Sequence, residues 1–126
     1  MIIMAPISVG ELVDKITILL IKQERILSKD KLENINKELS QLTKILDTLT
    51  NEHFDNIREL FLQLKDINNQ LWDIEDYKRA CEQTQNFDLL FIKAARDVYL
   101  KNDLRASIKR EINSLTGSTI VEVKSY

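Results

Sequence analysis

The sequence predicts an all-α fold: an elongated antiparallel bundle of four helices, formed by residues 1–126 as a single helical domain. Three observations predict it. Only 2 Gly and 1 Pro occur, too few for the turns of a many-stranded sheet protein. Apolar residues recur every three or four positions over long stretches, the spacing of a helix with one face against a core. The longest such stretch, residues 52–84, has neither Gly nor Pro and carries a heptad seam of Ile57, Leu60, Leu64, Ile67, Leu71 and Ile74, continued by Lys78 and Cys81.

Residues 1–7, MIIMAPI, are apolar, and Pro6 biases Ala5 toward extended backbone. Ser8 with Glu11 forms an S-x-x-E capping box and opens a first helix, about Val9 to Leu27. That helix is apolar on so much of its circumference that it is either central in the fold or covered by a second subunit. Asp30, with Glu33, is placed to cap a second helix over about 31–49, whose seam is Leu32, Ile35, Leu39, Leu42, Leu46 and Leu49. The short link makes the first two helices an antiparallel hairpin. Thr50 and Asn51 are the caps expected for the third helix. At about 1.5 Å per residue it is roughly twice as long as the first, so it either bends or overhangs the hairpin.

Asp88 caps a fourth helix, about Leu89 to Leu115, and Gly117 is placed as the glycine just past its end. Its core face is Phe91, Ala94, Ala95, Val98, Ile108, Ile112 and Leu115, with Lys101 and Arg105 interrupting it. The NDLR stretch either continues the helix with a local distortion or breaks it at Asp103. The tail STIVEVKSY alternates like a short strand, and a two-stranded ribbon between it and the N-terminal IIMAPI is expected, packed on the helices.

Composition bounds the function classes. With 44% hydrophobic and 30% charged residues the chain reads as an ordinary soluble helical protein. A formal charge of −2 argues against nucleic acid as a partner, and the row Lys101, Arg105, Lys109 interrupts an apolar face instead of forming an exposed basic one. The start lacks a signal-peptide pattern and no apolar run reaches membrane-spanning length. Cys81, the single cysteine, reads as a core residue in a reducing compartment. A cytoplasmic location without membrane insertion is the expectation. No Cys/His cluster has metal-ligand spacing and no glycine-rich loop could cradle a phosphate, so neither metal nor cofactor is expected. His53, the only histidine, is an ordinary exposed residue at a helix start.

The stretch LWDIEDYKRACE and the facing part of the fourth helix crowd charges around the seam. Antiparallel counting from the turn near Gln85 puts Glu75 level with Arg96 and Asn68 level with Asp103. Two readings stay open. The band is an anion pocket, with Arg79, Arg96 and Arg105 offering planar donor forks positioned by Asp73, Glu75 and Asp103 beside Asn102, and with Trp72 able to stack on a ligand. Or it is a salt-bridge network that fixes helix register.

The pieces ISVGELVDKITIL, KLENINKEL, LWDIEDYKRACE, FIKAARDVYLKNDLRASIKREIN and VEVKSY resemble a family of small bacterial proteins known only as a domain of unknown function. The likeness covers nearly the whole chain. Trp72, Asp73, Glu75, Asp76, Arg96, Tyr99, Asn102, Asp103, Arg105, Lys109 and Asn113 match that family's motif. The family has glutamates where this chain has Leu20 and Val123, so no role for those acids carries over. Its relatives are often encoded near glycosyltransferase or surface-polysaccharide genes, which implies a pathway and no activity.

Two functions follow from these readings. The first is a helical protein-interaction or self-association module, with a homo-oligomer (a dimer) or a partner protein covering the first helix and the overhang of the third. The alternative is a binder of, or an enzyme acting on, a small anionic ligand in a polar pocket between the third and fourth helices, with Trp72, Asp73, Glu75, Arg79, Arg96, Asn102, Asp103 and Arg105 as its residues. The sequence assigns no catalytic residue.

Overall fold

A computed structural model describes residues 1–49, 51–120 and 123, without the side chains of 51–53. It contains α1 (Val9–Arg25), α2 (Lys29–Asp47), α3 (Asn51–Thr84) and α4 (Leu89–Thr116). The four expected helices are all present, and α4 runs unbroken through NDLR. Among the described residues there is no strand, and the expected ribbon is not supported. Met1 to Ile7 are exposed coil, and residues 121, 122 and 124–126 of the tail lie outside the description.

The helix ends follow local chemistry. Ser8 accepts from Glu11 N at 3.0 Å, as the capping box requires. The reciprocal half is not made, because the Glu11 carboxylate instead takes a hydrogen bond from Lys109 Nζ at 2.7 Å. At α2 the cap is Ser28, not Asp30: its hydroxyl accepts from Lys31 N, and the helix starts a turn earlier than its apolar pattern. Ile26 turns extended and closes α1 two residues early, leaving Leu27 exposed. Asp88 caps α4 through Leu90 N and Phe91 N. Gly117 ends it with φ +65°, its N–H returning to Asn113 O. Thr50, one of the caps expected for α3, and the His53 side chain lie outside the described residues.

The apolar circumference of α1 is answered within the chain, since α1 contacts each of the other three helices. Leu12, Val13 and Ile16 meet Leu46 of α2 and Ile57, Leu60 and Leu64 of α3, with Ile112 of α4 closing the core. The surface of α1 that called for a second subunit is therefore used internally. From Asp14 to Arg25, α1 advances about three turns, yet its partners on α3 move only from Asn68 to Asp73. Thus α1 crosses α3 obliquely. The described hydrogen bonds between α1 and α4 start at Arg105, and the N-terminal half of α4 is packed on α3 as one arm of a hairpin.

Candidate functional site

A polar cluster lies where α1, α3 and α4 meet. Asp14, 1% exposed, sits on the inner face of α1 with Gly10 and Thr17, one turn away on either side. Such a carboxylate is tolerated only if its charge and lone pairs are matched. Arg105 supplies a two-pronged contact, Nε to Oδ1 at 2.9 Å and Nη2 to Oδ2 at 2.5 Å. Asn68 Nδ2 donates to the same Oδ1 and to Thr17 Oγ1, both at 2.9 Å. Lys109, also buried, lies 3.8 Å from Asp14 while donating to Glu11. Asn102 accepts from Arg105 Nη1 at 3.3 Å. The ions satisfy one another.

One turn further, α4 caps α1. Gly10 N donates to Asn113 Oδ1 at 2.7 Å and Val9 N to Ser118 Oγ at 3.4 Å. With Glu11 N on Ser8 Oγ and Leu12 N on Ser8 O, the four N–H groups that open a helix are all taken. A Cβ on Gly10 would lie 2.5 Å from Lys109 O and 2.9 Å from Asn113 Oδ1, so glycine is what lets the two helices approach.

Beside this cluster a cleft of about 350 Å³ opens between α1 and α3. Its walls are Ile18, Ile21 and Leu71, and its polar rim includes Glu75, Arg79 and Arg105. Trp72 also lines it, with the Arg25 guanidinium 5.6 Å from the ring centroid. Of the residues singled out in the sequence, Trp72, Glu75, Arg79 and Arg105 thus share one cleft. The remaining four do not face it. Asp73 turns aside to accept from Arg25 at 2.5 Å, and that cation holds its carboxyl below the usual range. Asn102 backs Arg105. Arg96 and Asp103 are exposed on the outer side of α4.

Glu75 and Arg96 do not pair. Glu75 accepts from Lys78 at 3.4 Å on its own helix. The physical reason is register. Arg105, not Asp103, comes level with Asn68, because both reach Asp14 Oδ1. A two-residue slip turns a helical side chain by about 200°, which sends Arg105 inward and Asp103 outward. Asp14, Thr17, Asn68 and Gly10 were missed as site residues. The available signal was the row Gly10, Asp14, Thr17, Ile21 at helical spacing along an apolar helix.

Outside the cluster, the outward side of α4 carries several exposed large apolar residues among the charges of Lys93, Arg96 and Asp103. Leu89, Ile92, Tyr99, Leu100 and Leu104 are all about half exposed or more, Leu89 at 82%. Among the described residues no three His, Cys, Asp or Glu are placed to hold a metal ion, and no helix is long and apolar enough to cross a membrane.

In comparison with known proteins, a family model described as "Family of unknown function (DUF6165)" matches residues 3–126. No curated protein and no solved structure matches the chain.

Proposed function

We propose, for a chain that belongs to the DUF6165 family of unknown function, that it is a helical protein-interaction module whose docking surface is the outward face of α4. One observation carries this reading: five large apolar residues, Leu89, Ile92, Tyr99, Leu100 and Leu104, stand exposed along one side of a helix whose other side is packed. Exposed apolar surface in a contiguous stripe is what marks an interaction site, whereas scattered exposed residues are ordinary. The module belongs to a reducing, cytoplasmic setting, in keeping with Cys81 as a free, buried thiol.

The competing reading, a small-anion site, is supported by the cleft but weakened by its charges. Arg105 is already matched by Asp14, and Glu75 stands in the same rim as Arg79. An incoming anion would have to compete with a buried carboxylate.

A photo-crosslinking residue in place of Ile92 or Leu104 tests the docking face, with Lys37 on the outer side of α2 as the control. Protein crosslinks at the two α4 positions and none at Lys37 are expected. Absence of any protein adduct at both α4 positions, another copy of the chain included, would overturn the reading.

A further inference from the structure

The structure assigns the cleft between α1 and α3 to a small zwitterion with an aromatic body and a hydrogen-bond donor at its far end, the chemistry of free tyrosine. The site is separate from the α4 face, and the inference does not rest on the docking reading.

The α3 residues that line the cleft fall on one side of the helix. Asn68, Leu71, Trp72, Glu75, Asp76 and Arg79 follow one another at helical spacing, facing Ile18 and Ile21 of α1. Burial falls along that row. Asn68 is 6% exposed and Leu71 8%, Trp72 is partly buried, and Asp76 and Arg79 are exposed. The cleft therefore has a polar floor, an apolar waist and a charged mouth. A volume of about 350 Å³, mostly apolar walls and a few placed polar groups are the make-up of a small-molecule site.

The floor offers an acceptor. Asn68 Nδ2 donates to Asp14 Oδ1 and to Thr17 Oγ1, and the amide cannot be turned round, because a carboxylate only accepts. Its Oδ1 is left with no hydrogen bond among the described residues. The one side-chain polar atom among them that is both enclosed and unmatched is Asn113 Nδ2, so Asn68 Oδ1 is open to the cleft. A carbonyl oxygen at the buried end of an apolar cleft calls for a donor. A hydroxyl at the tip of an apolar body supplies one.

The mouth offers both signs of charge. Of the charged residues lining the cleft, Arg105 is matched by Asp14, and Glu75 accepts from Lys78. Arg25, over the Trp72 ring, is held by Asp73. Asp76 and Arg79, one turn apart, have neither an ion pair nor a hydrogen bond among the described residues. A simple anion at Arg79 would also meet Asp76 and Glu75, and a simple cation at those acids would meet Arg79. An ammonium and a carboxylate on one carbon answer both. The acids that count against an anion thus favour a zwitterion. Between mouth and floor, Trp72 presents a flat apolar wall, against which a second ring packs well. A tyrosine within a peptide lacks one or both charges, so the free amino acid is the form that fits.

Trp72 is the only tryptophan, so its fluorescence, excited beyond the absorption of tyrosine, reports occupancy of the cleft. L-Tyrosine titrated into the full chain should change that fluorescence saturably, with the same affinity by calorimetry. L-Phenylalanine lacks the hydroxyl, tyramine the carboxylate and para-hydroxyphenylpropionate the ammonium. Each should bind on the order of tenfold more weakly, the worth of one lost polar contact. Arg79→Gln, at an exposed position, should weaken tyrosine by a similar factor and leave the weak binding of tyramine unchanged.

No saturable response to L-tyrosine up to its solubility would overturn the inference. So would equal binding of para-hydroxyphenylpropionate, which would make this a plain anion site, or equal binding of phenylalanine, which would remove Asn68 from recognition. An Arg79→Gln chain that bound tyrosine unchanged would overturn it as well. None of these outcomes touches the crosslinks from α4, so the two readings stand or fall separately.

Discussion

Arg105 grips Asp14 with two parallel donors, joining α4 to the first helix across 91 residues of sequence. The pair is one-sided in burial: the aspartate is 1% exposed and the arginine side chain 28%. The carboxylate is therefore the member that depends on its partners, and Lys109 and Asn68 stand on its remaining sides.

Asp14→Ala should accordingly destabilise the protein strongly, by about 3–5 kcal/mol, because it removes the buried carboxylate that Arg105 grips with two donors, one of the two anions beside buried Lys109 and one of the two acceptors of Asn68 Nδ2. Urea unfolding followed by far-UV circular dichroism measures it. Replacing the pair together, Asp14→Leu with Arg105→Met, should recover much of that loss, since apolar residues of similar volume need no matching charge. If the double variant were as unstable as the single, the cluster would be doing more than balancing its own ions.

Gly10→Ala tests the close approach of α1 and α4. Helix propensity alone favours alanine by up to about 1 kcal/mol. The added carbon, however, would stand 2.5 Å from Lys109 O, a backbone atom that cannot swing aside. Separating the helices also stretches the 2.7 Å bond from Gly10 N to Asn113 Oδ1. Overpacking of this kind costs about 1–3 kcal/mol, so a net loss of stability is expected in the same urea assay. A stabilised variant would mean that the helices have room to separate.

Two helix ends with the same backbone twist predict opposite outcomes. Gln85, just past α3, has φ +54°, with Asn86 N returning to Cys81 O at 2.9 Å. Gly117, past α4, has φ +65° and nothing within 4 Å of where a β-carbon would stand. Left-handed backbone costs an L side chain about 1–2 kcal/mol. Gln85→Gly should therefore stabilise by about 0.5–1 kcal/mol after the loss of its exposed bond to Glu82 O. Gly117→Ala should destabilise by about 1 kcal/mol although it meets no atom. Thermal unfolding midpoints moving in the same direction for both would contradict this account.

The elements were legible because they rest on local chemistry. The α3 seam from Ile57 to Leu71 is buried as its spacing requires, and Ser8, Asp88 and Gly117 end their helices as their residue types require. The site was legible only in part, because it depends on long-range register. Arg105 could be seen to interrupt an apolar face, but its partner Asp14 stands among apolar residues whose orientation only the α1–α4 packing fixes. The slip that turned Asp103 outward arises in a four-residue connection, where Gln85 takes a left-handed conformation that a glutamine does not advertise. Ser28 in place of Asp30 shows the same limit at smaller scale: two good caps lay two residues apart, and the apolar pattern did not choose between them.

The contact between Arg25 and Asp73 makes a prediction about acid. Arg25 reaches Asp73 Oδ1 at 2.5 Å and Asn69 Oδ1 at 3.1 Å, and the hydrogen bond from the guanidinium lowers the Asp73 pKa below its ordinary 3.8. Between the folded value and 3.8 the unfolded chain binds more protons at this site than the native protein does, so stability there rises with pH. The contribution is fully present above 3.8 and is lost as pH falls through the lower, folded value. Both side chains are at the surface, so salt should shrink the effect. Asp73→Asn removes the titrating group. The gap in urea midpoint between the natural chain and this variant should hold steady from neutral pH down to about 4 and then close on further acidification. A gap that persisted unchanged through the acid range would show that the carboxylate gains nothing from the arginine beside it.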